Sequence, residues 1–140
     1  MINQLARLSL VGLLMLLVSM AKAETLSGTL GSSSDYGSGW IDLNRITDFK
    51  RGDKLKIKVG GTARTVRIRL LPKGKDPNRP IGLIGGAIEV PINRLIEIEL
   101  ADDHSGVEQI SVHGGPKAWS HKLGQDNGPA EIDSVERIGK

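Results

Sequence analysis

The 140-residue chain contains no cysteine, only four aromatic residues and almost no excess of charge. The absence of cysteine excludes disulfides, thiol catalysis and zinc sites built from thiolates. The formal net charge is +3, from 19 Lys plus Arg against 16 Asp plus Glu. Residues 1–23 hold two of the basic residues and no acidic one, so removing them leaves 17 against 16, or +1. A chain this close to neutral lacks the basic excess typical of nucleic-acid binding.

Residues 1–23 have the three parts of a secretory signal peptide. Arg7 supplies the basic end, residues 8–21 form a largely apolar run of 14 residues, and Ala21-Lys22-Ala23 is a small-x-small cleavage site. The run is shorter than the ~18 apolar residues expected of a membrane-spanning helix, so an uncleaved anchor is the less favoured alternative. We therefore expect cleavage after Ala23 and no transmembrane segment in the rest of the chain.

Two features that residues 24–140 lack also indicate the compartment. These residues contain neither cysteine nor an Asn-x-Ser/Thr sequon. A secreted eukaryotic protein commonly has one or both. We therefore expect a bacterial protein located in the periplasm or secreted, with one domain over residues 24–140, a size at which a core can form without disulfides.

Short apolar runs with a period of two fill residues 24–140, separated by clusters of Gly, Pro, Asn and Asp. Residues 54–59, 65–70 and 96–100 alternate charged and apolar side chains strictly. Such alternation is typical of strands with one face buried. Weaker candidate strands cover residues 25–30, 40–43, 87–90, 107–113 and 131–138.

Eight short strands with turn residues between them predict an all-β fold. We expect a single antiparallel β-sandwich, with jelly-roll connectivity as one common arrangement of eight strands. No stretch keeps an apolar period of 3.6 residues over three turns, so little helix is expected. Residues 31–39 (GSSSDYGSG) and 73–86 (KGKDPNRPIGLIGG) have the composition of long loops.

The charged residues of the alternating runs are sorted by strand. The basic ones are Lys54, Lys56, Lys58, Arg67 and Arg69, and the acidic ones are Glu97 and Glu99. The favoured interpretation is a solvated sheet face on which basic strands pair with an adjacent acidic strand. The alternative is a charged sheet face that contacts a protein partner or an anionic envelope polymer, through Lys56, Lys58, Arg67 and Arg69.

Signatures of common enzyme classes are absent from the sequence. It has no Gly-x-Ser-x-Gly nucleophile elbow, no P-loop and no Gly-x-Gly-x-x-Gly. Asp102 and Asp103 are better explained as a turn than as a catalytic pair. His104, His113 and His121 are nine and eight residues apart, which matches no compact metal-ligand motif. We therefore expect a non-catalytic protein without metal or cofactor, with a metal-dependent hydrolase as the remaining alternative.

Trp119 is the centre of the candidate ligand site, because a loop tryptophan of an exported β-sandwich can stack on a sugar ring. The polar residues that could bond the sugar hydroxyls are His121, Asp126, Asn127 and, on a late strand, His113. For Trp119 and for Trp40 taken singly, packing at an end of the sandwich is the first interpretation, and contact with a ligand is the second. The segment from Asp126 to Pro129 is first of all a turn, and calcium binding at Asp126 has no repeated acidic pattern in its support.

Residues 49–138 resemble the strand pattern of carbohydrate-binding and galactose-binding-like modules. The resembling parts are residues 49–55, which lead a strand, Ile110-Ser111-Val112 in a late strand, and residues 131–136 in a closing strand. The resemblance implies a jelly roll that binds ligands along one rim or on one concave face. We therefore expect an exported binding module for a glycan or another envelope component, with a periplasmic structural or protein-interaction subunit as the alternative.

Overall fold

The computed structural model describes residues 22–72, 82–115 and 127–139. These ranges contain nine strands and no helix. The strands are β1 (Ala23–Leu26), β2 (Gly28–Ser33), β3 (Ser38–Phe49), β4 (Lys54–Gly61), β5 (Thr65–Leu71), β6 (Gly82–Glu89), β7 (Leu95–Glu99), β8 (His104–His113) and β9 (Ala130–Ile138). Accordingly, no described segment is a helix that could cross a membrane.

The strands form two antiparallel sheets that enclose one core. The four-stranded sheet has the order β1-β9-β4-β7, and the five-stranded sheet has the order β2-β3-β8-β5-β6. From β3 onwards the chain changes sheet at every connection except that between β5 and β6. Without β2, two sheets of four strands remain in the interleaved order of a jelly roll. The predicted all-β sandwich is therefore confirmed.

The core lies between the sheets and follows from the alternation in the sequence. Leu55, Ile57 and Val59 point inward from β4, while Val66 and Ile68 do so from β5, and all are fully buried in one cluster. Burying a side chain of this size contributes roughly 1.5–3 kcal/mol to stability. The charged residues between them necessarily point outward, because neighbouring side chains on a strand face opposite sides.

The charged pair Arg137–Asp53 lies against the core at Phe49. Phe49 is fully buried, and the guanidinium of Arg137 lies 5.3 Å from the centre of its ring. Arg137 Nε is 3.2 Å from the buried carboxylate of Asp53. The aspartate also accepts a hydrogen bond from the backbone N–H of Lys50 at 2.9 Å. Asp53 therefore holds the turn before β4 and the end of β9 together.

Three segments differ from the sequence-based expectation. The single strand expected at residues 25–30 is divided at Ser27, with β1 in one sheet and β2 in the other. Residues 31–39, expected to be a loop, largely belong to the β2–β3 hairpin, whose last pair is Ser33 with Ser38. Strand β6 begins at Gly82, inside the second expected loop. Glycines form strands here opposite large apolar residues, with Gly28 opposite Leu43 and Gly31 opposite Trp40. The local composition does not reveal these partners.

The two basic strands lie in different sheets. In the four-stranded sheet, Lys56 of β4 is opposite Glu97 of β7 and Glu136 of β9, and its Nζ is 3.4 Å from Glu97 Oε1. Arg67 and Arg69 point outward from the five-stranded sheet, on the other side of the molecule. The structure therefore does not bring Lys56, Lys58, Arg67 and Arg69 together on one contact face.

The predicted cleavage site lies at the start of β1. Ala23 is opposite Ile138, and Gly139 donates a backbone hydrogen bond to the Lys22 carbonyl at 2.8 Å. Cleavage after Ala23 would remove these two contacts. The pairs of residues 24–26 with β9 would remain, including that of the buried Leu26 with Val135.

Candidate ligand-binding face

The outer surface of the five-stranded sheet carries a compact group of polar and aromatic side chains, which we call the five-strand face. Its residues are Ser38, Trp40 and Asp42 on β3, Gln109, Ser111 and His113 on β8, and Arg67 and Arg69 on β5. They point outward because the residues that alternate with them, such as Ile41 and Ile110, are buried in the core. The strand register arranges them in rows across the sheet: Ser38–His113–Arg67, Trp40–Ser111–Arg69 and Asp42–Gln109.

Trp40 lies over the neighbouring strand β2. A Cβ atom added to Gly31, its partner in the register, would clash with the indole ring of Trp40. The indole therefore occupies the place where any other residue at position 31 would have its side chain. Trp40 is half-buried, so part of this residue stays accessible to solvent.

His113 is held between two serines. Ser38 Oγ is 2.8 Å from its Nδ1, and Ser111 Oγ is 3.1 Å from its Nε2. Both serines are buried, with Ser111 only 3% exposed. Burial, with a smaller contribution from the positive charge of Arg69, lowers the pKa of His113 to about 4. At neutral pH the imidazole is therefore uncharged, and one ring nitrogen donates while the other accepts.

Arg67 and Arg69 concentrate positive charge on the face. They are two residues apart on β5, half-buried, and their Nε atoms are buried. Burial and the neighbouring charge of Arg67 lower the pKa of Arg69, yet a guanidinium remains protonated at any physiological pH. Two planar cations in a partly desolvated position suit a carboxylate, phosphate or sulfate group.

Asp42 and Gln109 form the third row. Gln109 Nε2 donates to Asp42 Oδ1 at 2.7 Å. This bond fixes the orientation of the amide and leaves further acceptor positions on the carboxylate. The face thus offers an aromatic surface, hydrogen-bonding groups of both kinds and a pair of cations within a few strand spacings.

The residues of the sequence-predicted ligand site have different positions. His113 lies on the five-strand face, on the strand between Ser38 and Arg67. Asn127 is 4% exposed, and its Oδ1 accepts backbone hydrogen bonds from Arg64 and Thr65 at 2.9 and 3.0 Å. Its amide therefore fixes the start of β5 and is not available to a ligand. Trp119, His121 and Asp126 lie outside the described residues.

Sequence reasoning missed Ser38 and Ser111 and left Trp40 outside the candidate ligand site. Alternation did place Trp40 and Asp42 on one side of their strand, opposite Ile41 and Leu43. What it lacked was the pairing of this strand with β8, which puts Ser111 between Trp40 and Arg69. The sequence therefore indicated that Trp40 and Asp42 point the same way, but not which strand lies beside them.

Neither a search for metal-binding clusters nor comparison with known proteins gives further information on the function of this face. Within the described ranges, no group of three or more His, Cys, Asp or Glu side chains is placed to hold a metal ion. Comparison with protein-family models, curated proteins and solved structures finds no match to the chain. The functional argument therefore depends on the side chains of the five-strand face.

Proposed function

We propose that this protein is an exported, non-catalytic module that binds a glycan of the cell envelope on the five-strand face. The observation that carries the proposal is the row Trp40–Ser111–Arg69, in which a half-buried tryptophan lies two strands away from a cation. The apolar face of a sugar ring packs on an aromatic plane. Two strand spacings amount to ~10 Å, so the row can contact more than one sugar ring.

The charges favour an acidic glycan over a neutral one. Arg67 and Arg69 contribute two positive charges, Asp42 contributes one negative charge, and His113 is uncharged at neutral pH. A uronic acid, phosphate or sulfate beside the stacked ring would lie near the guanidinium groups.

The serines of the face support binding and not nucleophilic catalysis. Ser38 and Ser111 are both within hydrogen-bond distance of His113, which is the geometry of an activated nucleophile. Both are buried, however, so a substrate carbonyl or anomeric carbon has little access to either oxygen. Their hydroxyls are placed to hold the imidazole in position.

Export supports an envelope ligand. The basic end, the apolar run and the Ala21-Lys22-Ala23 site of residues 1–23 are the parts of a signal peptide. The alternative, a protein-interaction subunit that uses its charged sheet, has less support because Lys54 and Lys56 of β4 are opposite Glu99 and Glu97 of β7, and because Arg67 and Arg69 lie in the other sheet.

The proposal is tested by titrating acidic and neutral envelope polysaccharides into the wild-type protein and two variants by calorimetry. Trp40→Ala should weaken binding about tenfold, since a stacked aromatic is worth on the order of 1.4 kcal/mol. Tyr36→Ala is the matched control: Tyr36 is 67% exposed in the hairpin turn and should leave affinity unchanged. Unaltered binding by a folded Trp40→Ala protein would refute the site.

The charge preference has its own variant pair. Arg69→Gln should reduce affinity for an acidic polysaccharide at least fivefold and leave binding of its carboxyl-reduced form unchanged. Lys58→Gln removes the same charge from the opposite side of the sandwich and should alter neither. Equal effects of the two variants would show that only net charge matters.

A further inference from the structure

Three of the four sheet edges carry features that discourage strand pairing. Among the described strands, β1 has four residues and includes Glu24, while β7 has five and includes Glu97 and Glu99. Strand β6 has an irregular register with β5 and a positive φ of 66° at Gly85. Charges, short length and bulges are the usual protections of an edge.

Strand β2 has none of these protections. It contains six residues (GTLGSS) without charge or proline, and its register with β3 is regular throughout. Its other side has no neighbouring strand among the described residues. It is thus an uncharged edge with a regular register.

The hydrogen-bonding groups of β2 point outward at alternate residues. Asn44 donates its backbone N–H to the Ser27 carbonyl at 3.1 Å, so Ser27 points its carbonyl toward β3. In an antiparallel ladder this direction alternates along the strand. Gly28, Leu30 and Ser32 therefore direct both N–H and C=O away from β3.

Leu30 is the middle one of these three residues, whose backbone groups point away from β3. It is opposite Ile41, a core residue, and so shares the inward face of the sheet, yet it is 52% exposed. The hydrophobic layer thus continues to the edge of the five-stranded sheet and ends there uncovered.

We propose that β2 pairs antiparallel with β2 of a second copy of this chain, centred on Leu30. A two-fold axis perpendicular to the sheet requires paired residues to share a face, which permits Leu30 opposite Leu30 and Gly28 opposite Ser32. These are the residues with outward groups, so three pairs exchange about six hydrogen bonds. The two leucines cover each other. When a strand pairs with a second copy of itself, any charged residues it contains come close to like charges. Strand β2 contains no charged residue, so its pairing has no such cost.

The pairing joins two five-stranded sheets into one of ten strands. The two Trp40 residues then lie on one continuous outer surface, three strand spacings or ~14 Å apart. The pairing does not depend on the proposed glycan function, although a repeating polymer would contact both faces at once. Because a single strand pair buries little surface, the dimer should be reversible and dependent on concentration.

Sedimentation of protein expressed from the full sequence tests the pairing over a range of concentrations. Wild type should show a monomer–dimer equilibrium, and Leu30→Lys should raise its dissociation constant at least tenfold, because two ammonium groups would meet at the axis. Ile46→Lys is the control, since Ile46 is 62% exposed and lies on β3 beyond the paired residues of β2. A wild-type monomer at every concentration, or a dimer insensitive to Leu30→Lys, would overturn the proposal.

Cross-linking tests the register separately from affinity. The chain has no cysteine, so Leu30→Cys introduces a single thiol. Opposite residues of a hydrogen-bonded antiparallel pair have Cα atoms ~5.5 Å apart, a distance that a disulfide spans. Mild oxidation should therefore give a covalent dimer of Leu30→Cys and not of Ile46→Cys. Equal cross-linking of both would contradict the pairing.

Discussion

The two outer faces of the sandwich are both rich in polar residues, yet they differ in how far those residues are buried. The outer face of the four-stranded sheet, here the four-strand face, alternates lysines with glutamates across β9, β4 and β7, and most of these side chains are exposed. The five-strand face buries Ser38 and Ser111 and half-buries His113, Arg67 and Arg69.

This difference has an energetic consequence. Exposed pairs such as Lys56 with Glu97 exchange hydration for little net gain. Polar groups removed from water destabilise the fold unless they are well satisfied, and perturbed pKa values such as that of His113 cluster at functional sites. The comparison therefore indicates a solvated surface on one side and supports the proposed binding site on the other.

The largest expected effect comes from placing a lysine on each face. Ser111→Lys adds a cation to a buried position beside Arg69 and should lower the free energy of unfolding by about 3 kcal/mol or more. Ser134→Lys makes the same change at an exposed position opposite Lys58, and should cost less than about 1 kcal/mol. Urea denaturation of both variants measures the difference, and equal losses would show that the two faces are alike.

A smaller effect concerns the pH dependence of stability. The pKa of His113 is lowered by burial from its usual 6.5 to about 4, so the unfolded chain takes up a proton in a range where the native chain does not. The free energy of unfolding is therefore unaffected by protonation of His113 above pH 6.5 and decreases as the pH falls from 6.5 toward 4. At about 1.4 kcal/mol per pKa unit, unfolding becomes easier by up to ~3 kcal/mol.

The control for this pH effect is His113→Gln. Glutamine keeps hydrogen-bonding capacity toward the serines but does not titrate. All other ionisable groups are the same in the two proteins, so the difference between the two stability curves isolates His113. Parallel curves from pH 7 to pH 4 would contradict the lowered pKa.

The smallest effect is expected on the four-strand face. A double-mutant cycle of Lys56→Ala and Glu97→Ala should give a coupling of ~0.2–1 kcal/mol. In 1 M salt, where the Debye length is about 3 Å, this coupling should disappear. A coupling well above this range, or one that persists in salt, would mean that the four-strand face is also organised by specific contacts.

Much of the fold could be predicted from local pattern, and much of the site could not. The alternation in β4, β5 and β7 predicted both their strands and their buried faces, because the period of two is a property of neighbouring residues. The strand residues nearest the turn of the β2–β3 hairpin were missed because GSSSDYGSG has the composition of a loop, and its ends form strands only through pairing.

The site required contacts between distant parts of the chain. Trp40, Ser111 and Arg69 are neighbours across three strands but far apart in sequence. The sequence by itself determined the absence of disulfides, the strand rhythm and the side of each strand that faces water. Tertiary structure alone decided that Arg67 and Arg69 share a face with Trp40 and His113 and not with the lysines of β4, because register and sheet membership are long-range choices that no local period contains.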